Sequence, residues 1–120
     1  MSGERYRLAV HAVRDLQSIL LESERRFGSS QRRRYEDLIH RAAGIVAADP
    51  ECLGSKPRSE FMLGARSFHL DRAANRRGAA AHVLYYVASK LEDGRSGAMI
   101  LRILHDHMDP ARHLGDRDPN

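Results

Sequence analysis

The side chains best equipped for chemistry crowd the C-terminal end: His105, His107 and His113, with Asp106 and Asp109 between them. Imidazole nitrogens and carboxylate oxygens are the ligands of zinc-type cations, and histidine is also the side chain that exchanges protons near neutral pH. The spacing fits no firm metal template, because His105 and His107 flank a strand end and nothing in the sequence fixes a third ligand beside them. The expectation is a structural role at the junction of strand and tail, with no metal and no cofactor. A second group is cationic. Arg32, Arg33 and Arg34 are consecutive, and on a helix they stand about 100° apart, so they fan around it and make no patch by themselves. They are either a solvated face or, with Arg25 and Arg26, a basic edge offered to a target. Arg102 interrupts an otherwise apolar run, where an unpaired charge would cost several kcal/mol. It needs a carboxylate, from Asp109, from another residue of this chain, or from a partner.

These residues are carried by elements that the hydrophobic spacing marks out. Tyr6, Leu8 and Val10 alternate with Arg5, Arg7 and Ala9, the period of a short strand. From Ala12 the period lengthens, with Val13, Leu16, Ile19, Leu20 and Phe27 on one side of a helix that Gly28 stops. Ser29 or Ser30 is expected to cap a second helix, whose Tyr35, Leu38, Ile39, Ala42 and Val46 form one apolar face before Pro50. So short a connection makes the two helices an antiparallel hairpin. Glu51 to Leu63 reads as a loop, and Arg66, Phe68 and Leu70 begin a second strand. Asp71 to Gly78 is a polar turn. Ala80–Ala88 and Ala98–Leu104 then make a strand hairpin that turns around Asp93 and Gly94. A tail from His105 contains a short Ala111–Leu114 segment. The order gives an α+β fold, strand-helix-helix-strand-strand-strand, with the helical hairpin packed on one face of a small, mainly antiparallel sheet.

That sheet has more apolar surface than its helices can cover. Val83, Tyr85 and Val87 alternate with Leu84 and Tyr86, and Met99, Leu101 and Ile103 alternate with Ile100 and Leu104, so both sides are greasy. One hairpin shelters one side. Unless the Glu51–Leu63 loop or the tail folds over the other, an apolar, Arg-rimmed face is left for another chain.

Composition bounds the remaining possibilities. A chain of 120 residues, 42% hydrophobic and 30% charged, fits one domain over residues 1–120, with frayed ends expected at 1–4 and 115–120. No apolar run approaches the roughly 20 residues of a membrane span, and Met1–Arg7 does not read as a secretory signal. The single cysteine, Cys52, allows no internal disulfide and no cysteine-based zinc site. A cytoplasmic location is the expectation. The net charge of +4 favours an anionic partner only weakly, since arginine-rich usage also follows from a GC-rich genome. Direct nucleic-acid binding is left open.

Several fragments, in order, resemble the ParE branch of the RelE/ParE toxins of bacterial type II toxin-antitoxin modules. YRLAVHAVRDLQSI (Tyr6–Ile19) is similar to the family's opening strand and its Ala-x-x-Asp-Leu-x-x-Ile helix, with Ala12, Asp15, Leu16 and Ile19 in place. FGSSQRRRY (Phe27–Tyr35) looks like the aromatic-Gly-x-x-Gln corner, GARSF (Gly64–Phe68) like the start of the second strand, and HVLYY (His82–Tyr86) like the third. RILHDHMDPARHL (Arg102–Leu114) resembles the family's Leu-His-x-x-Met-Asp-x-x-x-His-Leu ending. The polar turn between Phe68 and His82 is longer than the family's pattern.

The resemblance implies a toxin that stalls DNA gyrase on broken DNA by binding, neutralised by a ParD-like antitoxin whose C-terminal part wraps it, the two forming a hetero-oligomer. On that view Leu84, Tyr86, Ile100, Arg102 and Leu104 meet the antitoxin across the open sheet face. Arg25, Arg26, Arg32, Arg33, Arg34, Arg112 and His113 are candidates for touching the target, and His105 and His113 hold the tail onto the sheet. RelE-type relatives instead cut mRNA on the ribosome, and Arg66, Tyr86 and His105 would then carry the chemistry. That alternative wants several converging cations and an acid/base group, and this chain offers two lysines and no tyrosine after Tyr86. A third reading is a non-toxic interaction module.

Overall fold

The computed structural model describes residues 5–114, and of His113 and Leu114 the backbone alone. The termini expected to fray, 1–4 and 115–120, lie outside the described residues. Strand β1 (Tyr6–Leu8) is followed by helices α1 (Val10–Phe27) and α2 (Ser29–Ala48), as the change of hydrophobic period requires, although Val10 already belongs to the helix. The reversal between the helices takes a single residue. Gly28 has φ 92° and ψ 171°, donates its N–H to Glu24 O and accepts from Arg32 N. A positive φ of this kind favours glycine, and it lets Gly28 end one helix and begin the next. The expected serine cap is therefore absent: Ser29 and Ser30 are already helical, and no side chain caps α2.

Beyond α2 the expected loop contains a two-residue strand, β2 (Lys56–Pro57), antiparallel to β3 (Ala65–His69). The polar stretch read as a turn opens with a short helix, α3 (Leu70–Ala74), because Leu70 is wholly buried and begins the helix instead of ending the strand. Its start is capped by His69 Nδ1, which accepts from Asp71 N at 3.2 Å, and it ends at Asn75 in the left-handed region at φ 55°. Strands β4 (His82–Lys90) and β5 (Ser96–His105) form the long central hairpin, and α4 (Ala111–Leu114) closes the described chain. The sheet order is β1-β5-β4-β3-β2, antiparallel except for the parallel β1–β5 pair.

Both helices lay Ala12, Leu38, Ile39, Ala42, Ala43 and Val46 on one face of the sheet, against Phe68, Leu84, Tyr86, Ala98, Ile100 and Ile103. The presence of both Ile100 and Ile103 on that face breaks simple alternation. A bulge causes it: Tyr86 stands opposite Ile100 but Tyr85 stands opposite Arg102, leaving Leu101 as an extra residue in β5. The expectation that Ile100 and Ile103 face opposite ways is corrected by this one inserted position.

Candidate functional site

On the face away from the helices, Val83, Tyr85 and Leu104 form a second apolar cluster, with Phe61 and Leu101 packed against it. The face is not bare, because the three central side chains are 9%, 6% and 2% exposed. Phe61 lies in the turn that follows β2, and Arg58 pins this turn through its N–H to Ala65 O at 2.7 Å and its Nε to Ser67 Oγ at 3.0 Å. The chain's own loop thus shelters the middle of the surface. Val87 and Met99, paired across β4 and β5, and Leu101 remain half-buried beyond it, and Met62 and Leu63 on the same turn are exposed.

The structure redistributes the residues expected on this surface. Leu84, Tyr86 and Ile100 are fully buried in the helix-side core, so no partner crossing the far face can reach them. They fall there because their alternation is set by the helices packed on that side. Leu104 does lie in the far cluster. Arg102 makes a forked ion pair with Asp15 of α1, Nε to Oδ2 and Nη2 to Oδ1 each at 2.8 Å, and Asp15 Oδ2 also accepts from Ile103 N at 2.9 Å. The bonds from its guanidinium to Asp15 raise the pKa of Arg102. The required carboxylate is thus in the same chain, at a position the family-like helix fragment had marked, and not at Asp109.

Of the three residues considered for mRNA cleavage, Arg66 and Tyr86 face each other across β3 and β4 and meet at Ser55, but His105 stands apart. The Tyr86 hydroxyl donates to Pro50 O at 2.6 Å and lies 2.6 Å from Ser55 Oγ, which accepts from Arg66 Nε at 2.7 Å. Burial pushes the phenol's pKa up, so this network braces the loop after α2 and suits no proton transfer to solvent. His105 is opposite His82, four residues along β4 from Tyr86, a strand separation of roughly 13 Å.

The helical hairpin carries the basic edge, but unevenly. Arg25 and Arg26 both pair with Glu22, at 2.7 and 3.5 Å, and Arg32 pairs with Glu24 at 2.8 Å. Arg33 and Arg34 are exposed, and among the described residues they make no ion pair. Arg112 is exposed on α4, and the His113 side chain lies outside the described residues. Between this edge and the start of β4 runs a groove of about 600 Å³, lined by Ile19, Arg26, Phe27, Tyr35, His82 and Met108 among others.

At the same end of the sheet lies a titratable cluster that the sequence does not mark as a unit, because its members come from four elements and the turn after β5. Tyr35 of α2 bonds His82 Nδ1 at 2.7 Å, His82 meets His105 edge-on at 5.3 Å, and His105 stacks on His107 at 4.8 Å. Burial lowers the His82 pKa to about 4, with the His105 charge adding to the effect. Asp106 Oδ2 lies 3.0 Å from His69 Nε2, and Asp106 N donates to Ala81 O at 2.8 Å. The tail is therefore tied to the sheet through Asp106, whereas His105 makes a local bond to the N–H of His107.

The described residues form a two-layer α+β domain with a half-covered apolar sheet face and a basic helical edge. The chain belongs to the ParE toxin family: the model for the ParE toxin of the type II toxin-antitoxin system, parDE, matches residues 6–110. It is accordingly a toxin-family protein with an antitoxin as its implied partner. No curated protein matched the chain. No helix among the described residues is long and apolar enough to cross a membrane.

Proposed function

We propose that the protein is a toxin that inhibits DNA gyrase by binding it, and that a cognate ParD-like antitoxin neutralises it by lying across the sheet face opposite the helices. The observation that carries this reading is the strip of Val87, Met99 and Leu101 beside the buried Val83, Tyr85 and Leu104, covered at its centre by the Phe61 turn and open at its flank. An extended apolar segment gains there by removing half-buried side chains from water, at about 25 cal/mol per Å² of apolar area. The toxin's action is then a population shift: tighter binding to gyrase with cleaved DNA than to the resting enzyme raises the fraction of broken DNA without any chemistry by the toxin.

The buried and bonded Tyr86, with His105 far along the strand, speaks against mRNA cleavage by Arg66, Tyr86 and His105. One purified preparation decides between the readings. We expect loss of supercoiling and accumulation of cleaved DNA with gyrase, both reversed by antitoxin, and no cutting of mRNA on translating ribosomes. Activity in the ribosome assay alone transfers the assignment to the ribonuclease. Inactivity in both, with antitoxin still bound, leaves the interaction module.

A further inference from the structure

The His105–Asp106–His107 turn has a geometry that its spacing in the sequence did not suggest. Asp106 Oδ1 lies 3.3 Å from His105 Nδ1 and 3.8 Å from His107 Nε2, and one ligand atom from each of the three residues falls within 4.8 Å of the others. Four donors on a cation at 2.0–2.1 Å in tetrahedral array stand about 3.3 Å apart. The first edge already has that length, but the two rings are stacked, 20° from parallel with centroids 4.8 Å apart, so both nitrogens face one ion only after a rotation of the His107 ring. The His107 side chain is 88% exposed and can make it.

The hydrogen bonds set the ring state as well. His105 Nδ1 accepts the N–H of His107 at 3.1 Å, so in the neutral ring the proton sits on Nε2 and the lone pair on Nδ1. A cation on Nδ1 takes the place of the His107 N–H at that single lone pair, and Asp106 Oδ1, 3.3 Å from Nδ1, is close enough to share it. Behind them, His69 stands between two carboxylates, its Nδ1 3.0 Å from Asp71 Oδ1 and 3.2 Å from Asp71 N, and its Nε2 3.0 Å from Asp106 Oδ2, to which it donates when Nε2 carries the proton. Ligating carboxylates are themselves hydrogen-bonded at metal sites, and His69 is placed to supply that bond to Asp106.

We propose that His105, Asp106 and His107 chelate one divalent cation of the zinc type, with His69 as the residue that positions Asp106. Two imidazoles and one carboxylate favour zinc over magnesium or calcium, which take oxygen ligands, and three protein ligands leave a position for solvent. The proposal is independent of the gyrase and antitoxin readings. Because Asp106 also ties the tail to Ala81 and His69, a bound cation would stiffen the chain entering α4.

The test is isothermal titration of Zn²⁺ and, separately, Mg²⁺ into the full chain without a histidine tag, with unfolding curves in chelator as the folding control. We expect one Zn²⁺ per chain and no Mg²⁺ binding. His107→Ala and Asp106→Asn should each weaken Zn²⁺ at least tenfold, and His69→Ala should keep the one-to-one stoichiometry while lowering affinity about 10-fold. His40→Ala, far from the turn and bonded to Tyr6, should bind like the unaltered chain. No Zn²⁺ binding up to about 1 mM, or affinity within threefold of the parent in both His107→Ala and Asp106→Asn, overturns the proposal and leaves a cluster that shares protons only.

Discussion

Arg102 and Asp15 show how one charge is tolerated against a sheet. Their side chains are 20% and 14% exposed, the contact is forked, and the same carboxylate takes the Ile103 N–H next to the bulge. Replacing Asp15 by Ala strands a part-buried guanidinium and a strand N–H together. A fully buried pair would lose about 3–5 kcal/mol on such a change, so at this partial exposure the loss expected in urea unfolding is about 2–3 kcal/mol. Adding Arg102→Ala should cost less than the sum of the two single changes, because the charge left behind is gone. His82 makes a pH prediction of definite sign. Its folded pKa is about 4 against about 6.5 unfolded, so the unfolded chain takes up the proton first as pH falls. Stability is full above about pH 6.5, declines between about 6.5 and 4, and levels below that. The two values set a ceiling of about 3 kcal/mol, which solvent screening of the half-exposed ring reduces to roughly 1–2 kcal/mol. Unfolding curves in chelator at pH 7 and pH 4.5 should show this decline, and the difference should shrink in His82→Gln.

Elements meet closely where β1 lies on β5, and glycine decides the approach. A Cβ at Gly97 would collide with the backbone oxygen of Arg5, which accepts from Ala98 N beside it. Gly97→Ala must therefore push β1 outward or twist β5, and the expected loss is about 1–3 kcal/mol, read as a lower urea midpoint. Gly44, inside α2 with open space around the position of its missing Cβ, gives the opposite sign: Gly44→Ala should stabilise by about 0.5–1 kcal/mol. These local effects also show what the sequence could disclose. The α1 and α2 faces, the helical hairpin and the β3–β4–β5 meander were legible because their apolar periods run for several turns or strand repeats. The bulge at Leu101 was not, since an inserted residue leaves the composition of β5 unchanged and only the partner strand reveals it. It was this one position that sent Ile100 to the core while Leu104 stayed outside. Likewise β2 is two residues stabilised by a neighbour, and α3 depends on a buried Leu70 that reads equally well as the end of a strand. The need of Arg102 for a carboxylate was legible from charge alone, whereas its partner, 87 residues away, was not.

At the scale of the whole molecule, the apolar strip and the unpaired arginines occupy different layers: Val87, Met99 and Leu101 on the far side of the sheet, Arg33 and Arg34 on the helical hairpin that covers the near side. If one face serves the antitoxin and the other the target, the two functions separate genetically. Met99 is half-buried and outside the two core clusters, so Met99→Glu should fold while placing a charge where an apolar segment must dock. Antitoxin affinity should fall at least tenfold, about 1.4 kcal/mol, with gyrase inhibition by the free protein retained. Arg33→Glu combined with Arg34→Glu changes the formal charge by four on a surface where neither side chain has an intramolecular partner, so stability should change by less than about 0.5 kcal/mol. Inhibition should weaken and become less sensitive to salt, because the attraction removed was screened by it, while antitoxin binding stays near its parent value. Parallel measurements of antitoxin Kd and of cleaved-DNA accumulation check both variants, and loss of both functions from either change would mean that antitoxin and target compete for one surface.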